Sequence, residues 1–120
     1  PDMRDLRGDM TKLEGEKKKR ADLARNIFIN RIIRYVGAYT LEMRGLDGIA
    51  FTAGVGEHDF GVREHVMDSL ELLGLKPDSA ANKENATIIT KPDSTIVGMV
   101  IPTNEELMIE RDVVRVAGLK

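Results

Sequence analysis

Cysteine and tryptophan are both missing from this 120-residue sequence, and aromatic residues make up only 4% of it. Without cysteine the chain can form no disulfide, which is typical of proteins from reducing compartments. No apolar run approaches the roughly 20 residues that a membrane-spanning helix needs, and the first residues, PDMRDLRGD, lack the pattern of a signal peptide. The net charge of −2 argues against nucleic acid as the main partner. These absences favour a cytoplasmic protein with neither nucleic-acid nor membrane partners.

The residues that are present are those of a folded domain. Hydrophobic residues make up 42% of the chain and charged residues 32%, enough apolar surface to form a core. The polar residues 1–15 are predicted to form a leader loop. The apolar spacing then predicts, in order, a helix over Glu16–Arg44, a strand over Gly48–Ala53, a helix over Phe60–Leu73, a helical turn at Ser79–Lys83, strands near Ala86–Thr90 and Thr95–Ile101, and a last helix from Thr103 to about Ala117. This order predicts an α/β fold with a sheet flanked by helices.

The long helix and the helix ends carry further expectations. The apolar face of Glu16–Arg44 is wide, which predicts burial on more than one side, against the sheet and against another subunit. Gly45 is predicted to take the left-handed conformation that caps this helix, and Gly74 to end the helix that begins at Phe60.

A glycine-bearing loop follows the apolar strand Gly48–Ala53. Gly54 and Gly56 would let backbone N–H groups approach a phosphate or a nucleotide beneath the start of the next helix. The same glycines would also suit a tight strand-to-helix connection that binds nothing, and their spacing leaves both interpretations open. The loop is neither a dinucleotide fingerprint nor a P-loop, because the next glycine is Gly61 and no Gly-Lys-Ser/Thr follows.

Two charged residues are candidates for contacts with phosphate or metal. In IPTNEEL, Thr103 and Glu106 fit a capping box, which leaves Glu105 available to bind a hard cation such as Mg²⁺. A role for Glu105 at the positive end of a helix dipole is the alternative. Arg4 could make charge-assisted contacts to a phosphate. The residues alone therefore suggest a ligand loop without a complete catalytic set.

Three separated segments together resemble the acetate kinase family: PDMRDLRG, FTAGVGEHDFGVRE and VIPTNEELMIERD. NRIIRYVGAYTLEM is similar to the long helix of that family. Their order and spacing match the C-terminal portion of the family over essentially all 120 residues. The resemblance implies a ribonuclease-H-like half-domain of the superfamily that contains acetate and sugar kinases, Hsp70 and actin. It also implies that residues 1–120 are the single C-terminal lobe of a two-domain kinase, and hence a piece of a longer chain.

The resemblance also implies an activity and a set of site residues. The activity is transfer of phosphate between ATP and acetate, with Mg²⁺, to give acetyl phosphate and ADP. Arg4 is implied to be catalytic, near the transferred phosphate, and Glu105 to be the magnesium-associated carboxylate. Val55 and His58 depart from the family loop, which has isoleucine and asparagine at these positions. The implied nucleotide-binding residues are Asp2, Met3, Arg4, Gly54, Val55, Gly56, Glu57 and His58.

The remaining catalytic groups of the family lie upstream of this segment. The chain is therefore expected to supply the nucleotide and magnesium side of the cleft, to be inactive alone, and to form a homodimer through the long helix. Two alternatives stay open. One is a non-catalytic nucleotide-binding or dimerisation module, and the other is a kinase for propionate or another short carboxylic acid, because the acyl pocket would lie outside these residues.

Overall fold

The computed structural model describes residues 3–52, 59–102 and 112–116, with side chains described from residue 12 onward. The chain divides into two compact units, Pro1–Arg31 and Ile32–Lys120. In chain order the elements are helix α1 (Met3–Met43), strand β1 (Gly48–Thr52), helix α2 (Phe60–Ser69), a 3₁₀ turn (Glu71–Leu73), helix α3 (Ser79–Lys83), strand β2 (Val97–Ile101) and strand β3 (Val113–Val116). No helix within the described ranges has both the length and the apolar character needed to cross a bilayer.

A three-stranded sheet forms the centre of the unit Ile32–Lys120. Its order is β2-β1-β3, and β1 is parallel to both of its neighbours. Four of the five residues of β1, from Gly48 to Phe51, are buried. A parallel strand covered on both faces is expected to be apolar throughout, and the predicted central strand is confirmed.

Helix residues complete the core of this unit. Ile32 and Val36, one helical turn apart in α1, are fully or almost fully buried. Met67 of α2 packs on the sheet at Gly98, where a Cβ atom would lie 3.3 Å from the Met67 sulfur. Val62 and Val66, about one turn apart in α2, are also buried. The predicted α/β class, with a small parallel sheet flanked by helices, is confirmed.

Helix α1 begins much earlier than the sequence pattern predicts. The predicted leader loop over residues 1–15 is wrong from Met3 onward, because α1 already includes these residues. Gly8 and Gly15 each disfavour a helix by about 1 kcal/mol, but the residues around them are mostly strong helix formers such as Leu, Met, Lys and Glu. In the unit Pro1–Arg31, the side chains of residues 12–27 are all exposed.

The end of α1 uses a left-handed residue other than the one predicted. Arg44 has φ 58°, in the left-handed region. Its N–H donates to the carbonyl of Leu41 at 3.3 Å, and the N–H of Gly45 donates to the carbonyl of Thr40 at 3.0 Å. This pair of hydrogen bonds is a Schellman motif with Arg44 at C′. Gly45 therefore follows the left-handed position instead of occupying it.

The last predicted helix is wrong where the chain can be compared. Residues 103–111 lie outside the described residues, but Val113–Val116 is strand β3, paired with β1. Two β-branched residues in a row and a third two positions later favour a strand, and Val114 and Val116 are buried. The strand predicted at Ala86–Thr90 is also not formed, because this stretch makes only isolated antiparallel bridges.

The helix that begins at Phe60 ends in two steps. α2 stops at Ser69 and a 3₁₀ turn continues to Leu73. Gly74 then has φ 96°, as predicted for the residue that ends this segment. A Cβ atom at Gly74 would lie only 2.3 Å from the Thr95 hydroxyl oxygen, so no side chain fits here without movement. The helical turn predicted at Ser79–Lys83 is confirmed as α3.

Candidate functional site

The carboxyl ends of two neighbouring strands define the candidate site. Thr52 ends β1 and Ile101 ends β2, and these two residues are partners in the parallel register. Because the strands are parallel, their carboxyl ends, at Thr52 and Ile101, lie side by side at the same edge of the sheet. Adjacent strands in a sheet are about 4.8 Å apart. In open α/β sheets, ligands bind outside this edge.

The predicted loop and the predicted metal ligand follow these two strand ends. Gly54 is two residues beyond Thr52 in the sequence, and Glu105 is four residues beyond Ile101. The topology therefore brings together the strands that lead to both segments, although they are about 50 residues apart in sequence by the numbering. The sequence pattern alone could not have shown this, because it depends on the pairing of β1 with β2.

The candidate residues themselves fall mostly outside the described part of the chain. Met3 and Arg4 are the first two residues of α1, in the unit Pro1–Arg31. The positions outside the described residues are Asp2, Gly54, Val55, Gly56, Glu57, His58 and Glu105. Across the described ranges, no three histidine, aspartate or glutamate side chains are grouped so as to hold a metal ion.

Helix α2 begins directly after the predicted nucleotide loop. Asp59 is its N-cap, and the Asp59 carboxylate accepts a hydrogen bond from the backbone N–H of Val62 at 3.1 Å. An aspartate at this position accepts a hydrogen bond from one of the free N–H groups of the first turn, and its negative charge is stabilised by the positive end of the helix dipole. The start of α2 is therefore fixed by the residue that follows His58.

Arg63, in the second turn of α2, is completely buried. Its Nε donates to Oδ1 of Asn82 at 2.7 Å. Its Nη2 donates to the backbone carbonyl of Asn82 at 2.7 Å and to Oδ1 of Asn85 at 2.5 Å. Burial lowers the pKa of the Arg63 guanidinium, and the negative charge of Asp59 partly opposes this shift. Arginine remains a cation at neutral pH even so, because its reference pKa is so high.

Asn82 connects α3 back to the first turn of α2. Its Nδ2 donates to the backbone carbonyl of Phe60 at 2.8 Å and to Oε2 of Glu64 at 2.8 Å. The other oxygen of Glu64 accepts a hydrogen bond from the Ser79 hydroxyl. We call the side chains of Arg63, Glu64, Asn82 and Asn85, with the carbonyl of Phe60, the Asn82 network.

Sequence reasoning missed the Asn82 network, although one signal was present. Arg63 lies next to Val62 and four residues before Met67, so it belongs to the buried side of an apolar helix. A charged residue on such a stripe must find partners, because burying an unpaired charge is very unfavourable. The partners, Asn82 and Asn85, are 19 and 22 residues away and could not be identified from the pattern.

An open cavity of about 710 Å³ lies on the side of α2. Its walls include Phe60, Glu64, His65 and Asp68 of α2, together with Lys83 of α3. Carboxylates, a histidine and a lysine line it together, so it does not present the single sign of charge that concentrates ionic ligands. None of the predicted site residues is among the described residues that line this cavity.

Comparison with solved structures identifies the class of protein. The chain is similar to acetate kinase from Porphyromonas gingivalis, with a TM-score of 0.69 and 35% identity over 86% of this chain and 26% of that one. It is also similar to a propionate kinase from Francisella tularensis, with a TM-score of 0.64 and 31% identity over 80% of this chain and 25% of that one. The fold is thus one that acetate and propionate kinases contain, in agreement with the predicted fold class.

Comparison of sequences identifies the family. Over 96% of this chain, the sequence is 47% identical to acetate kinase from Geobacillus kaustophilus. Over 87% of this chain, it is 50% identical to acetate kinase from Clostridium novyi. It spans only 29% and 26% of those two proteins. The sequence profile of the Acetokinase family matches residues 1–111. The chain belongs to the Acetokinase family, and the predicted resemblance is confirmed.

Proposed function

We propose that this chain is the nucleotide-side lobe of an acetate kinase, which transfers phosphate between ATP and acetate to give acetyl phosphate and ADP. The observation that carries this proposal is the identity of 47–50% to the two acetate kinases over most of the chain. Since the chain spans less than a third of its relatives, the acyl pocket and the remaining catalytic groups belong to other parts of a longer polypeptide in this proposal.

The proposed nucleotide site is the edge of the sheet where β1 and β2 end. The loop Gly54–His58 contacts the nucleotide, and Gly54 and Gly56 leave room for its close approach to the backbone. Asp2 and Met3 contribute further nucleotide contacts. Arg4 supplies positive charge near the transferred phosphate, because such charge stabilises the phosphoryl transition state.

Glu105 is the proposed ligand of Mg²⁺, directly or through water. A carboxylate oxygen fits this hard cation, which is usually held by one or two carboxylates together with water and substrate phosphates. Glu105 follows the end of β2 by four residues in the sequence, and β2 ends beside the strand that leads to the glycine loop; this order supports a metal close to the phosphates. Bound Mg²⁺ would neutralise charge on the β- and γ-phosphates.

Gly54→Val in the full-length polypeptide is expected to weaken ATP binding by about tenfold or more, since about 1.4 kcal/mol of steric cost is enough for this loss. The reason is that a β-branched side chain would occupy the space that the nucleotide needs next to the backbone. Isothermal titration with ATP and Mg²⁺ measures the affinity. Unchanged affinity in a folded variant would contradict the assignment of the loop, and the exposed Leu72→Ala serves as the matched control.

Glu105→Gln is expected to raise the Mg²⁺ concentration for half-maximal activity by about tenfold, because the amide keeps the shape of the side chain but removes its charge. The measurement is a Mg²⁺ titration of acetyl phosphate formation at saturating acetate. A variant with the wild-type Mg²⁺ requirement would show that Glu105 serves only the helix or loop that contains it.

The proposed cellular form is a cytoplasmic homodimer in which α1 contacts its partner copy. Support comes from large apolar side chains that are exposed on α1, including Leu23 and Ile27 in the unit Pro1–Arg31 and Leu41 in the other unit. Leu23 and Ile27 are four residues apart and therefore neighbours on one face of α1, and neighbouring exposed apolar side chains are typical of interaction surfaces. Sedimentation equilibrium of the full-length polypeptide should give twice the chain mass, and a monomer at micromolar concentration would contradict this.

A further inference from the structure

The Asn82 network joins a very short helix to the start of α2. Helix α3 has only five residues, yet its Asn82 is completely buried. The side-chain oxygen of Asn82 accepts from Arg63 at 2.7 Å, while its Nδ2 donates to the Phe60 carbonyl and to Glu64, both at 2.8 Å. Both hydrogens of this amide are used, and its oxygen is also paired. The site therefore specifies asparagine, because aspartate would present an oxygen where two acceptors already lie.

The network acts on the backbone at the point where the predicted nucleotide loop ends. Phe60 is the first residue of α2 and follows His58 by two residues, with only the N-cap Asp59 between them. The hydrogen bond from Asn82 to the Phe60 carbonyl holds this first turn from one side. Arg63, one turn further along, ties the same helix to the backbone and side chain of Asn82. The exit of the loop is thus attached to α3.

We propose that Asn82 and Arg63 are positioning residues for the nucleotide loop. They hold the first turn of α2 so that residues 54–58 meet the nucleotide in the geometry that binding requires, without contacting the nucleotide themselves. The inference rests on the proposed function, because it takes Gly54–His58 as the nucleotide site. Small displacements of a binding group have large effects on the bound complex, so the residues behind a site must be held as firmly as those within it.

A positioning role and a purely structural role differ in what they do to the kinetics. A residue that only stabilises the fold lowers the melting temperature and the amount of active enzyme, but leaves the KM of the folded enzyme unchanged. A residue that positions the loop raises the KM for ATP and leaves the KM for acetate and kcat nearly unchanged, because uniform nucleotide binding is lost. The comparison therefore needs a control that destabilises α2 without disturbing its first turn.

Gly74→Ala is that control. Gly74 follows the far end of the α2 segment, where its φ of 96° and the 2.3 Å approach to the Thr95 hydroxyl make any side chain unfavourable. The substitution should lower the melting temperature of the full-length polypeptide while its KM for ATP remains that of the wild type. Asn82→Asp keeps the size and shape of the side chain but replaces its donor with a charged carboxylate oxygen, and Arg63→Lys keeps the positive charge but removes the forked set of donors.

The experiment measures melting temperature, kcat and both KM values for these variants in the full-length polypeptide. Asn82→Asp and Arg63→Lys are expected to raise the KM for ATP by about tenfold, with the KM for acetate and kcat changed by less than about twofold. Adding Glu64→Gln to Asn82→Asp should recover part of the ATP affinity, because the new amide can donate to the introduced carboxylate.

Two results would overturn the inference, and they are distinguishable. If Gly54→Val abolishes ATP binding while Asn82→Asp and Arg63→Lys lower the melting temperature with a wild-type KM for ATP, the nucleotide loop is confirmed and the positioning role is wrong. If Gly54→Val binds ATP like the wild type, the loop is not the nucleotide site, and both the proposed function of the loop and this inference are wrong.

Discussion

Phe51→Ala is expected to lower the free energy of unfolding by about 3–5 kcal/mol, the range for removing a large buried aromatic side chain. Phe51 is completely buried in the central strand β1, where its register partners are Val100 of β2 and Val116 of β3. Hydrogen bonds to a strand on each side hold β1 in place, so the sheet cannot close the cavity that the missing ring would leave. Urea unfolding followed by circular dichroism measures the effect.

A surface residue provides the matched control for this measurement. Leu72 lies in the 3₁₀ turn and is 98% exposed. Leu72→Ala should therefore change the free energy of unfolding by less than about 0.5 kcal/mol. Equal losses for the two variants would show that Phe51 is not part of the core that the structure describes.

The same strand shows which parts of the fold sequence reasoning can reach. β1 could be predicted because a short apolar run that is bounded by glycine is typical of a parallel strand buried on both faces. The stretch at residues 113–116 is even richer in β-branched residues than β1, but it follows a capping box that favours a helix. Its pairing with β1 decides the outcome, and that pairing is a contact between residues about 65 apart in the numbering. Local propensity cannot supply such information.

The candidate site divides in the same way. Glycines after a strand and a carboxylate outside a capping box are local features, so Gly54 and Glu105 could be selected from the sequence. That the two strands leading to them end side by side, by contrast, follows from the parallel register of Thr52 with Ile101. The contacts of Arg63 are also non-local, since α3 must first fold against α2 before Asn82 can accept its hydrogen bonds. The sequence indicates which residues are unusual, and the topology indicates what they contact.

Arg63→Met is expected to lower the free energy of unfolding by about 3–5 kcal/mol, comparable to breaking a buried ionic or hydrogen-bonded pair. Methionine fills much of the same volume but donates no hydrogen bond. The side-chain oxygens of Asn82 and Asn85 would then lose the donor that Arg63 supplies, while the backbone carbonyl of Asn82 would keep only the N–H of Asn85, which donates to it at 3.1 Å. Each unpaired buried group costs about 1–3 kcal/mol. Arg34→Met, at an exposed position of α1, is the matched control and should change stability by less than about 0.5 kcal/mol.

A double-mutant cycle shows whether this loss arises from the pairing of Arg63 with Asn82. Asn82→Ala alone removes both an acceptor for Arg63 and the donor to Phe60 and Glu64. If the two side chains stabilise the fold as a pair, the double variant Arg63→Met/Asn82→Ala should be more stable than the sum of the single losses predicts, by about 0.5–3 kcal/mol. Urea unfolding of all four proteins gives this coupling. Strictly additive losses would mean that Arg63 stabilises α2 through other contacts, and that α3 does not hold the first turn of the helix through it.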